Sequence, residues 1–229
     1  MAEQLVFELA LRPAMGREDF FVSAANAGAV AQIDAWRDWP HGKLVLAGPE
    51  GAGKTHLAHV WAGMTGAVLV EAGDLDDRVA EEHADAPALV VENAHRLAGQ
   101  PAREAALFHL HNALIQRAAP TLFTATDGPE RWGLGLPDLD SRMRQAGLAR
   151  VAPPDDALLM AVMMKLAHDR ALPLTPKTLA HVAPRIERSF AAVRAFVDAL
   201  DARALAAKRP PRFKDAKAVL AEMKQPVSR

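Results

Sequence analysis

Gly48-Pro49-Glu50-Gly51-Ala52-Gly53-Lys54-Thr55 decides the fold. It is a complete match to the pattern G-x-x-x-x-G-K-[ST], in which glycines let the backbone curl tightly and aim several N–H groups at one anion. The residues around it supply the required context. Before it, Lys43-Leu44-Val45-Leu46-Ala47 is a short apolar run of the buried-strand type. After it, the spacing predicts a helix over 55–64, whose positive N-terminal end adds to the loop's attraction for phosphate. Lys54 is placed to reach β- and γ-phosphates, and the Thr55 hydroxyl to ligate a nucleotide-bound Mg²⁺.

Outward from the loop, apolar runs alternate with helical periodicity. Residues 67–71, 88–92 and 121–126 read as further strands. Residues 25–39 read as a helix ending near Pro40. Residues 102–118 read as another, with Leu107, Leu110, Leu114 and Ile115 on one side. This alternation predicts an α/β fold, a parallel sheet flanked by helices. Pro153-Pro154 interrupts the pattern, because a proline disfavours helix at itself and before it. Beyond it, 155–170, 175–184, 187–207 and 213–224 read as helices and no strand is predicted. The expected organisation is a tail over 1–12, a nucleotide-binding α/β domain over 13–152 and a small all-α domain over 153–229.

Bulk properties set outer limits. The 229 residues are half apolar and about a quarter charged, enough for a sizeable core. A net charge of −1 argues against tight sequence-independent DNA binding, which needs a strongly basic face. Without cysteine there is neither a disulfide framework nor a thiolate metal site, which suits a reducing cytoplasm. The N-terminus does not read as a signal peptide, and no apolar run of about 18 residues predicts a membrane span.

Several side chains carry candidate chemistry. Glu92 closes the third strand and is positioned to serve a nucleotide-bound cation; otherwise it simply ends a strand at the surface. Asn93 follows it. A neutral amide has almost no proton affinity at neutral pH and makes a poor general base, so intrinsic hydrolysis is expected to be slow or absent. Asp127 follows the fourth strand, where it faces a γ-phosphate or merely forms the turn before Gly128-Pro129. Arg142, in Leu136-Pro137-Asp138-Leu139-Asp140-Ser141-Arg142-Met143, reads as an arginine on a surface loop after the last strand, with Arg144 as competitor. A guanidinium so placed can stabilise phosphoryl-transfer charge on a neighbouring molecule's nucleotide. Arg188 and Arg194 lie in the helical domain and read as helix-surface charges or as arginines leaning over the nucleotide. The histidines, His56 among them, show no metal-ligand spacing.

In this order, these stations resemble the DnaA branch of the AAA+ family of P-loop NTPases, and within it the Hda-type DnaA-homologous regulators. The resemblance covers nearly the whole chain. Asp19-Phe20-Phe21-Val22 followed by Asn26 resembles the DnaA entry segment beside the adenine, which implies nucleotide contacts for Phe21 and Val22. The loop and its continuation Thr55-His56-Leu57 match well. Thr124-Ala125-Thr126-Asp127 is similar to a DnaA strand end that implies a sensor role for Asp127. The segment 136–142 resembles the Hda motif that bears an arginine finger, here Arg142. Gln4-Leu5-Val6-Phe7-Glu8-Leu9 is similar to a clamp-binding peptide, in which Gln4 anchors and Leu5, Phe7 and Leu9 fill apolar pockets.

The resemblance implies a small helical lid domain and bound ADP or ATP with Mg²⁺. Its implied partners are DnaA and the β sliding clamp, with DNA reached mainly through the clamp, no membrane, and possible head-to-tail self-association. The chain ends where such a lid would end, without the DNA-binding domain that follows it in DnaA. There are departures. Glu92 stands where the family has Asp. Asn93 fits the Hda pattern better than the DnaA one. Phe7 and Glu8 replace the usual Leu and Pro. The second sensor arginine falls on Arg188 after a one-step register choice, with Arg194 as runner-up.

Overall fold

The computed structural model describes residues 21–224. They form two compact units. One is Asn26–Ala152; the other joins Pro153 onward to the short segment 21–25.

The larger unit is built on five strands: β1 (Lys43–Ala47), β2 (Val68–Glu71), β3 (Leu89–Glu92), β4 (Thr121–Ala125) and β5 (Gly147–Arg150). They lie in the order β2-β3-β4-β1-β5, every neighbouring pair parallel. Central strands β1, β3 and β4 are buried along their whole length, as expected for apolar runs covered on both faces. Helix α1 (Ala27–Asp34) precedes the sheet, and α2 (Lys54–Thr65), α3 (Asp77–Glu82), α4 (Pro101–Gln116) and α5 (Pro137–Arg144) lie between successive strands. Leu107, Leu110 and Leu114 of α4 join Val45, Val91 and Phe123 of the sheet in one core. Trp61 of α2 is fully buried and stacks on Trp39, with ring centroids 5.1 Å apart. Gly66 ends α2 in a left-handed conformation that returns its N–H to the Ala62 carbonyl.

Two expectations are corrected. Arg142 lies on a helix, α5, rather than on a surface loop. Pro137 starts it, Asp138 and Asp140 fill its first turn, and Leu139 and Met143 bury one face at the i, i+4 spacing. Nor is β4 the last strand. Gly147-Leu148-Ala149-Arg150 has no β-branched residue, and pairing with Leu44–Ala47 makes it a strand. Gly147 permits the close approach, since a Cβ there would meet Leu44 at 3.1 Å and Pro40 at 3.2 Å.

The all-parallel sheet sorts residues onto two edges. Strand C-termini bring Gly48, Glu71, Glu92 and Asp127 to one edge, while strand N-termini place Lys43 and Thr121 at the other.

The second unit is helical: α6 (Asp156–Asp169), α7 (Pro176–Val182), α8 (Phe190–Ala207) and α9 (Phe213–Met223). Asp155, Thr175 and Ser189 cap the first three, each accepting from a backbone N–H three residues on. Leu159, Met163, Val182, Val193, Phe196 and Leu200 form its core. No described helix is long and apolar enough to cross a membrane.

Candidate functional site

The loop after β1 has the backbone a phosphate cradle needs. Gly51 and Gly53 have φ of 74° and 95°, in the left-handed region that side chains resist. At Gly48 the constraint is steric: a Cβ would sit 2.2 Å from the Val151 carbonyl oxygen. Ala52 is buried, whereas Pro49 and Glu50 are exposed. The buried Lys54 ammonium lies within the curl, donating to the carbonyls of Gly48 (2.7 Å) and Pro49 (2.8 Å). Burial lowers its pKa, opposed by Glu50 and Glu92.

Beside the loop, the Thr55 hydroxyl donates to a Glu92 carboxylate oxygen at 2.6 Å, and His59 Nε2 lies 3.7 Å from the other. A hydroxyl and a carboxylate converging at the mouth of a phosphate loop are a fitting donor set for a phosphate-bound Mg²⁺. Asn93 is turned away along the sheet edge. It sits at φ 56°, and its amide nitrogen lies 3.1 and 3.0 Å from the two Glu71 carboxylate oxygens. Its backbone N–H donates to Thr124 Oγ1 at 3.0 Å. Glu71 pairs with Glu92 in strand register, so both carboxylates share one sheet face. Nothing in the sequence marks Glu71 beyond its place at the end of a strand.

Asp127 lies on the same edge, in the turn after β4. Its carboxylate pairs with Arg131 at 3.2 Å and its carbonyl accepts from the Trp132 indole at 2.9 Å. The adjacent Ala125 carbonyl accepts from the Gly48 N–H, which ties this strand end to the loop. His95 is a second residue the sequence left unmarked. Burial, then Arg96 and Lys54, lower its pKa, opposed by Asp127 and Glu50. His56 is exposed on α2.

Arg142 lies at the opposite edge. Its carbonyl accepts from the Lys43 ammonium at 2.8 Å, and Lys43 is the first residue of β1. The loop begins after the last residue of β1, so the five-residue strand separates the two by roughly 15 Å. The guanidinium lies 4.7 Å over the Phe108 ring and donates to the Asn112 side-chain oxygen. Among the described residues no carboxylate pairs with Arg142, whereas Arg144 is bound to Asp140 at 2.7 Å. Beneath them His111 is almost wholly buried with neither ring nitrogen partnered. Burial, with Lys43 and Arg142 adding, pushes its pKa down to about 3.

The helical unit carries the remaining arginines. Arg188 lies just before the α8 cap rather than on the helix, donating to the Pro154 carbonyl at 3.1 Å and pairing with Asp156 at 2.8 Å. Arg194 is exposed on α8. Phe21 and Val22 are half-buried in the segment belonging to this unit. Gln4, Leu5, Phe7 and Leu9 lie outside the described residues.

Fold and loop together define the class: the chain has the AAA+ P-loop NTPase fold, a parallel five-stranded sheet flanked by helices. Among solved structures it is similar to domain III of the replication initiation protein DnaA from Thermotoga maritima, with TM-score 0.77 and 19% identity. That match covers 91% of this chain and 96% of that one. AMPPCP-bound DnaA from Aquifex aeolicus is also similar, with TM-score 0.67 and 15% identity over 81% of this chain and 64% of that one. So is the FIGL-1 AAA domain in complex with ADP, with TM-score 0.63 and 14% identity over 90% and 81%. No family model matches the chain.

Proposed function

We propose that this protein is a nucleotide-binding negative regulator of replication initiation, which stimulates hydrolysis of DnaA-bound ATP through Arg142. The observation that carries the reading is the separation of the two edges. Arg142 is too far from its own chain's loop to serve it, yet its guanidinium has no neutralising carboxylate. An arginine of this kind suits a nucleotide held by another molecule.

In this reading the chain's own edge binds ADP or ATP. Loop N–H groups and the α2 N-terminus receive the phosphates, and Lys54 moves from the loop carbonyls to them. Thr55 and Glu92 would hold Mg²⁺, which would offset phosphate charge. Asn93 cannot take a proton from water, and its amide is engaged by Glu71, so bound nucleotide here serves geometry more than turnover. Asp127 faces the terminal phosphate, and His56 follows Thr55 at the start of α2. Gln4, Leu5, Phe7 and Leu9 dock on the β sliding clamp, which brings Arg142 to DnaA on DNA.

The test is ATP turnover by DnaA with clamp loaded on DNA, with and without this protein. Wild type should accelerate turnover. Arg142→Ala should lose about a hundredfold or more of the acceleration, as for other arginines acting in trans. A Gln4→Ala/Leu5→Ala variant should lose the clamp-dependent part. Robust hydrolysis by this chain alone, with no effect on DnaA, would replace the proposal with an autonomous ATPase.

A further inference from the structure

The edge that carries Arg142 also holds a cavity that the finger alone does not explain. It has a volume of about 670 Å³, and its lining includes Arg37, Trp39, His41, Lys43, Asp138 and Arg142. Arg37, Lys43 and Arg142 along the lining outnumber its one carboxylate, Asp138, by two. Lys43 is the unusual member. The residue is 2% exposed and forms no ion pair with any described residue. Of its three ammonium N–H groups, one has a described acceptor, the Arg142 carbonyl. Arg142 is likewise unpaired with any described carboxylate, and the buried His111 beside them has both nitrogens unpartnered. Burial and the Arg142 charge bring the Lys43 pKa down to about 8. A buried cation beside a second, half-buried one is unfavourable unless something supplies an anion.

We infer that this cavity is a phosphate site, in which Lys43 and Arg37 join Arg142 in receiving the terminal phosphate of a ligand. The charge match selects the chemistry. A terminal phosphate carries nearly two negative charges at neutral pH, against one for a carboxylate. Lys43 has spare donors for a third oxygen, while the planar Arg142 fork spans two. Only the ligand's source rests on the reading of Arg142 as a finger. A phosphate held on a partner's nucleotide and free inorganic phosphate share this chemistry.

The experiment uses the full chain saturated with Mg-ADP, so that the loop is filled. Inorganic phosphate is titrated at fixed ionic strength while backbone amide resonances are followed by NMR. Amides of Thr121, Ser141 and Gln145 should shift saturably, and those of residues 48–55 should not. Lys43→Met should weaken this response about tenfold or more, as expected for a lost charge-assisted hydrogen bond. Arg37→Gln, at an exposed position, should weaken it without affecting folding. No saturable shift at Thr121, Ser141 and Gln145, or Lys43→Met responding as wild type while still folded, overturns the proposal. A second arm assigns the source. Lys43→Met lowering the kcat of stimulated DnaA turnover marks the partner's nucleotide. Unchanged stimulation alongside lost phosphate binding marks the free anion. Failure of wild type to stimulate DnaA refutes the proposed function but leaves the phosphate titration intact.

Discussion

Lys43 offers a test that separates a charge effect from packing. In the unfolded chain its pKa is near 10.5; in the fold it is about 8. Below pH 8 both states carry the proton, and the fold bears the full cost of burying the ammonium. As pH rises from 8 toward 10.5 the folded state gives up its proton first, and the cost disappears. At about 1.4 kcal/mol for each factor of ten, that interval corresponds to about 3 kcal/mol. Replacing Lys43 by Met removes the titration and keeps the side chain's length. It also removes the hydrogen bond to the Arg142 carbonyl, a loss of about 1–3 kcal/mol. Near pH 7 the two effects therefore nearly cancel, whereas near pH 10.5 only the lost hydrogen bond remains. Wild type should gain about 3 kcal/mol relative to Lys43→Met between about pH 7 and 10.5. All four tryptophans, Trp36, Trp39, Trp61 and Trp132, lie in the sheet-bearing unit. Urea unfolding followed by tryptophan fluorescence thus reads that unit alone. A difference between the two proteins that stays flat across this range would refute the buried, uncompensated ammonium.

Two further outcomes follow from the same geometry. His111 has an ordinary value of 6.5 and a folded value near 3, so the unfolded chain takes up its proton first on acidification. Wild type should lose about 2 kcal/mol of stability between pH 6.5 and about pH 5 through this group, and His111→Leu should show a flatter acid limb in the same fluorescence assay. Asn93→Asp would set a second carboxylate about 3 Å from Glu71, replacing two amide contacts with like-charge repulsion. It should destabilise by about 1 kcal/mol, and Glu71→Gln in the same chain should relieve it, read as a positive coupling in a double-mutant cycle.

The fold was readable where sequence signals are local. The glycine loop forces its own geometry, and β1, β3 and β4 are continuous apolar runs because both their faces are covered. Signals failed where partners are distant. The strand at 147–150 exists through pairing with β1 and has no pattern of its own. Asp77–Glu82 buries only Ala80, too little for a visible helical face. Arg142 could be singled out by its motif, but Phe108, Asn112 and Lys43 lie 30 or more positions away, and nothing near Arg142 announces them. Glu71 became noticeable only through Asn93, whose left-handed backbone points its amide across to β2.

The two sheet edges handle charge in opposite ways. On the loop edge the cations have counter-charges: Lys54 lies near Glu50 and Glu92, Arg96 is 3.7 Å from Glu50, and Asp127 holds Arg131. On the other edge Lys43, His111 and Arg142 stand together with a neutral amide and an aromatic ring as company. Sequence selected for stability alone would place apolar groups there, since an unpaired buried cation costs more than a well-packed hydrocarbon. A carboxylate at position 112 would hold Arg142 as firmly as Asp140 holds Arg144, and would cancel its charge. The Asn112 oxygen and the Phe108 face orient the guanidinium without neutralising it. This arrangement keeps positive charge available to an anion arriving from outside the chain, and the stability given up at Lys43 measures how strongly that availability has been favoured over packing.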